Sequence, residues 1–237
     1  MEGLYSKDPG PLILLPAERP ASRQSYSCAH ELGHHVAGHG THVDELLEEK
    51  ADGGRSAEDP DEFLVECFAG FLLMPKLAVE RALACRGWKP SSLTAEQAYV
   101  IAGQLGVGYT TLLQHMRWSL GILPGSKAEE LLKVPLKRIR RGWLNRDTTA
   151  NLLVMDHHWA GRPVDLHVGD YLLVPDGTQA EAPHLHVVQE TVAGRLFEAQ
   201  RAGRRRTRPV STWAPPTRFP AASTCRRARF RSATTPP

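Results

Sequence analysis

The sequence predicts an α+β protein, helical to about residue 133 and β-rich from about residue 148. Three observations predict this. Apolar residues recur at helical spacing between sharp start and stop signals through the first part. Short runs rich in Val, Leu, Tyr and Phe, parted by Gly, Pro and Asp, fill the second. No apolar run approaches the roughly 18 residues needed to span a bilayer. The opening Met-Glu-Gly-Leu-Tyr-Ser-Lys-Asp also lacks a basic-then-apolar leader, so a cytoplasmic chain without a membrane partner is expected.

The elements follow in order. Pro11 to Pro16 is a short apolar run between prolines and reads as a buried or edge strand. Gln24 to Gly38 reads as a helix, with Gly40 as its stop. Residues 40–59 read as an acidic loop with one turn of helix at Val43–Lys50. Asp59 is a good N-cap and Pro60 suits the first helical position, so a second helix starts there. Leu64, Phe68, Phe71 and Leu72 make its apolar stripe, and it ends near Met74-Pro75. A third helix runs from Pro75 to about Cys85. Thr94-Ala-Glu-Gln97 is a capping box for a helix over roughly 94–104. Leu105-Gly-Val-Gly108 then turns into a helix from Tyr109 to Leu120, and the pair resembles a helix-turn-helix.

A short charged helix is expected near 126–133, and the basic run Lys133 to Arg146 reads as a solvated helix face or linker. Strands are expected at Asn151–Met155, Val164–His167, Tyr171–Val174, Leu185–Glu190 and Arg195–Ala199. Residues 201–237 hold ten arginines and no acid, whereas 1–200 carry 19 basic against 26 acidic residues, a net of −7. An acidic body thus carries a basic tail, which reads as disordered for want of core-forming residues. The cysteines, Cys28, Cys67, Cys85 and Cys225, form no C-x-x-C pair and read as reduced, mostly core thiols.

The chemistry concentrates in His30-Glu31-Leu32-Gly33-His34, which fits H-E-x-x-H. On a helix the two imidazoles lie one turn apart on one face and can reach one zinc ion, while Glu31 beside them can take the proton of a water. Zinc acidifies that water and polarises a scissile carbonyl. A third ligand must come from another helix. Glu62 and Glu66, spaced i, i+4 on the second helix, are the candidates. The bland readings are a first-turn glutamate favouring the helix dipole at Glu62 and an ion pair with Arg23 at Glu66. His35, His39 and His42 crowd the same stretch and give weight to scattered surface histidines.

The stretch Arg23-Gln-Ser-Tyr26-Ser-Cys-Ala-His30-Glu-Leu-Gly-His34-His35 resembles the signature of the ImmA/IrrE metallopeptidases. Glu62-Phe-Leu-Val-Glu66-Cys-Phe68-Ala69-Gly-Phe-Leu72-Leu73-Met74-Pro75 is similar to that family's second signature, and the likeness covers roughly residues 10–122. It implies a zincin-like core at 1–90 with helix-turn-helix-like helices at 91–125; the residue pattern adds a linker helix and small β-rich domain at 126–200 and the disordered tail at 201–237. It implies zinc held by His30, His34 and Glu62, with Glu31 catalytic. Glu66 stands where the family has Asn or Asp, and only 29 residues precede His30, a shorter start than family members usually have. The implied activity is cleavage of a helix-turn-helix repressor, derepressing stress or mobile-element genes. The alternative is a non-catalytic regulator that binds DNA or a repressor around a structural metal.

Two further features are weighed. Tyr109, Thr110, Thr111, Gln114, His115 and Arg117 are the expected exposed positions for a DNA contact, which is not favoured because the pair has few basic residues. His184-Leu-His186 with Glu190 is similar to a cupin metal motif, but the order of its parts is wrong, and incidental histidines in a small β-domain are preferred.

Overall fold

The computed structural model describes residues 3–44, 59–159, 163–176, 178–181, 184–191, 193–201 and 226–232. The chain is mixed α+β, helical in its N-terminal half and β-rich in its C-terminal part. Among the described residues no helix is long and apolar enough to cross a membrane.

The first layer is a three-stranded antiparallel sheet ordered β2-β1-β3, with β1 at Gly3–Ser6, β2 at Leu12–Leu14 and β3 at His42–Asp44. The proline-bounded run is therefore an edge strand. Where loop and a helical turn are expected after Gly40, residues 42–44 pair with β1 instead; the rest of that expected turn, 45–50, lies outside the described residues. Against this sheet packs α1, Ala21–Ala37. It stops at Gly38, not Gly40: Gly38 takes the left-handed conformation at φ 76° and its N–H bonds back to the last turn.

The second helix, α2, spans Pro60–Leu73 and starts as the sequence dictates, with the Asp59 side chain accepting from the Asp61 N–H. Its buried side differs from expectation. Val65, Ala69 and Gly70 are buried, while Leu64 is 54%, Phe71 48% and Leu72 50% exposed. The cause is close approach to α1: a Cβ on Gly33 would lie 2.9 Å from Val65 Cβ, so the small-residue side of α2 faces α1 and the bulky stripe turns outward.

Then come α3 (Lys76–Ala84), α4 (Ala95–Leu105), α5 (Tyr109–Gln114), α6 (Gly125–Leu132) and α7 (Leu136–Leu144). Thr94 and Gln97 form the expected capping box of α4. α5 continues as one π-helical turn, His115–Ser119. α7 is the basic run, with Ile139 and Leu144 buried beneath its charges. The described cysteines are free but not core: Cys28 and Cys85 are exposed and Cys67 half-buried.

A four-stranded sheet of order β4-β6-β9-β8 follows, built from β4 (Leu152–Val154), β6 (Tyr171–Val174), β8 (Leu185–Thr191) and β9 (Gly194–Ala199). β4 and β6 are parallel, the other pairs antiparallel. Its strand alternation feeds two cores. Leu152, Leu173 and Leu196 join Met74, Ile101, Leu112, Met116, Leu131 and Ile139 of the helices; Leu172, Val174 and Phe197, on the other face, join Trp159, Val164 and Leu166. A second small sheet orders β5 (Pro163–Leu166), β10 (Arg226–Ser232) and β7 (Thr178–Glu181) as β5-β10-β7. The tail is thus not featureless at 226–232. Arg227, Arg229 and Arg231 alternate with Ala228, Phe230 and Ser232, a strand period that arginine content conceals. The remainder of the tail beyond Arg201 lies outside the described residues.

Candidate metal centre

Helical spacing places the histidines. His30 and His34 are buried at 8% and 1% exposure, with Nε2 atoms 3.3 Å apart. Glu62, in the first turn of α2, brings Oε2 to 3.3 Å from His30 Nε2 and Oε1 to 3.4 Å from His34 Nε2. The three side chains form a group able to hold a metal ion, and among the described residues it is the one such cluster; His184 and His186 join none.

The donor spacing fits a tetrahedral ion. Ligands at roughly 2.0–2.1 Å from a four-coordinate zinc lie about 3.3–3.4 Å from one another. The two Nε2 atoms lie 3.3 Å apart, and Glu62 brings a different oxygen to each, Oε2 at 3.3 Å from His30 and Oε1 at 3.4 Å from His34. Two imidazole nitrogens and a carboxylate are also the nitrogen and oxygen donors that suit such an ion.

Which glutamate meets the histidines follows from helix direction. α1 and α2 run antiparallel, since Asp61 pairs with His39 late in the chain of contacts and Glu66 lies beside Tyr26. Glu62 therefore falls opposite His30 and His34. Glu66, one turn on, falls opposite the preceding turn of α1 and is exposed. Burial, with the charges of Glu66 and Cys67 adding, pushes the Tyr26 hydroxyl up to about 12, so it stays protonated.

Glu31 is fully buried. Its place is made by β1: a Cβ on Gly3 would collide with Glu31 Oε1. Two residues along β1, Tyr5 is buried and its hydroxyl lies 2.8 Å from His35 Nδ1. A two-residue strand step of about 6.6 Å matches a four-residue helix step of about 6 Å. Gly3 and Tyr5 thus register with Glu31 and His35. His39, just past the Gly38 cap, places Nδ1 3.0 Å from His34 Nδ1, and its Nε2 lies 3.6 Å from Asp61 Oδ1. Gly3, Tyr5 and the roles of His35 and His39 are what sequence reasoning missed. Only a glycine and an aromatic at strand spacing, and a histidine beyond the helix stop, hinted at them.

A cleft of about 780 Å³ opens beside His30. One wall is the N-terminal half of α1 with Glu66; the other is the Leu105–Gly108 turn, the start of α5, β4 and β5. The helix-turn-helix-like pair therefore presents its turn to the cleft. Two of its six expected exposed positions are in fact buried. Tyr109 is 4% exposed and donates to the Leu131 carbonyl at 2.9 Å, and His115 is 6% exposed with Nε2 3.0 Å from the Met74 carbonyl. Helical spacing alone does not show that α6 and the end of α2 cover those sides.

No curated protein and no solved structure matches the chain. The family model described as the IrrE N-terminal-like domain, a peptidase M78 family, matches residues 2–113. That span contains β1 to α4, the His30, His34 and Glu62 cluster and most of α5. The match agrees with the two signatures around His30 and Glu62, and residues 2–113 are similar to the IrrE N-terminal-like peptidase family.

Proposed function

We propose that the protein is a zinc-dependent endopeptidase whose substrate is a helix-turn-helix transcriptional repressor. The observation that carries this is the convergence of His30, His34 and Glu62 at ligand spacing beside an open cleft, within a span of the peptidase family. A zinc ion held by these three residues would polarise the scissile carbonyl and acidify a water towards neutral pH. Glu31, adjacent in sequence to His30, takes the proton of the attacking water and returns it to the leaving amine. Its burial beneath Gly3 keeps the carboxylate in one place. The cleft, lined by both polar and apolar groups, suits an extended segment of a protein chain.

The test is co-expression with helix-turn-helix repressors from the same genome, followed by mass spectrometry of fragments. Wild type should cleave one of them. Glu31→Gln should lower the rate by roughly 10²–10⁴-fold while keeping one zinc per chain. Repressors all left whole by wild-type protein, or cut equally by Glu31→Gln, defeat the proposal.

A further inference from the structure

Four ring nitrogens and two carboxylates lie in series at this site, from Asp61 through His39 and His34 to Glu62. His39 Nε2 faces the Asp61 carboxylate at 3.6 Å, and His39 Nδ1 faces His34 Nδ1 at 3.0 Å. A carboxylate accepts only, so Asp61 favours hydrogen on the His39 nitrogen that faces it. In a neutral ring that leaves His39 Nδ1 bare. With hydrogen on His39 Nε2, His34 Nδ1 is the donor across the 3.0 Å contact and His34 Nε2 carries the lone pair, as metal ligation through Nε2 requires. That lone pair points at Glu62 Oε1, 3.4 Å away, and at His30 Nε2, 3.3 Å away.

The opposite assignment turns a hydrogen on His34 Nε2 towards Glu62, and it is the one that metal ligation excludes, because an Nε2 that binds a metal carries no hydrogen. We propose that His39 and Asp61 are positioning residues that hold His34 in the Nδ1–H tautomer, so that its Nε2 presents a lone pair to the metal. His39 suits this role by burial as well: its side chain is 19% exposed, shielded enough for the contact to Nδ1 to persist, whereas Asp61 at 68% is a weaker, solvent-screened anchor. Orientation through an imidazole, where a carboxylate or carbonyl usually touches the ligand directly, follows from geometry. α1 ends at Gly38, and the chain folds back so that the His39 N–H bonds to the His34 carbonyl at 3.0 Å, laying ring against ring at 5.2 Å between centroids.

The inference rests on the metal site proposed above, and chelator competition against zinc separates the two. Wild-type protein should bind one zinc. His39→Ala should loosen it by roughly 10–100-fold. His39→Asn, whose Oδ1 can accept in place of Nδ1, should recover part of that loss. Asp61→Asn, on an exposed first turn, should loosen zinc less than His39→Ala. With cobalt in place of zinc, the visible d–d absorption should shift in His39→Ala and return towards wild type in His39→Asn, a readout that a loss of fold alone does not reverse. Equal zinc affinity in His39→Ala and wild type overturns this inference alone, as does an Asn variant no better than Ala. Wild-type protein that binds no zinc overturns both this inference and the metal-site proposal.

Discussion

The carboxylate of Glu31 occupies the space that a side chain on Gly3 would need. Gly3→Ala should therefore displace Glu31 while leaving His30, His34 and Glu62 in place. The expected outcome is a fall in cleavage rate of about 10-fold or more, since misplacement by about 1 Å can cost 10²-fold. Zinc content by atomic absorption should stay at the wild-type value, which separates loss of the base from loss of the metal. Helical spacing and residue chemistry, which are local properties, singled out His30, Glu31 and His34, whereas they left Glu62 and Glu66 as equal candidates and only the family resemblance chose Glu62. Gly3 was not legible, because its role is defined by a residue 28 positions away on another element.

Between elements, His115 couples the π-helical turn to α2. A Cβ on Gly70 would lie 2.8 Å from His115 Nδ1; the Phe71 ring stands edge-on to the imidazole, and Nε2–H donates to the Met74 carbonyl. Burial lowers the His115 pKa below its ordinary 6.5, with the Met74 hydrogen bond opposing in part. The unfolded chain then binds a proton near pH 6.5 that the folded chain binds only at lower pH. Stability from this group is thus complete above about pH 6.5 and declines as pH falls below it. Thermal melts between pH 8 and pH 5 should show a steeper fall for wild type than for His115→Gln, the acid sensitivity of the metal site being common to both. The element-level reading of the sequence succeeded where caps are local, at Asp59-Pro60 and at Thr94 with Gln97. It failed on the face of α2, because two small residues, Gly33 and Gly70, decide which side can approach its neighbours. It left α7 open and missed β10, because arginine content masks apolar periodicity.

At the scale of the molecule, Arg86 joins the helical half to the β-rich part. Its guanidinium, 2% exposed, forks onto Asp156 with Nε–Oδ2 at 2.5 Å and Nη2–Oδ1 at 2.8 Å. Arg86→Ala leaves the Asp156 carboxylate half-shielded and unanswered by that fork. A loss of about 2–3 kcal/mol is expected, below the full cost of breaking a wholly buried pair because Asp156 is 25% exposed. Urea unfolding followed by far-UV circular dichroism measures it. The sequence announced a change from helix to strand near residue 148, but it could not show that one sheet serves two cores, since that requires knowing which partners meet each face.

The shared core has a consequence for how such chains diversify. Homology draws a line at residue 113, yet Ile101, Leu112 and Leu113 pack in one cluster with Leu131, Ile139, Leu152 and Leu173 beyond it. The inherited segment and the folding segment are therefore different lengths. A recombination event that moved residues 2–113 into another context would deliver the chemistry with one side of its scaffold bare. It would persist only where the new neighbour offered an apolar sheet face of similar shape.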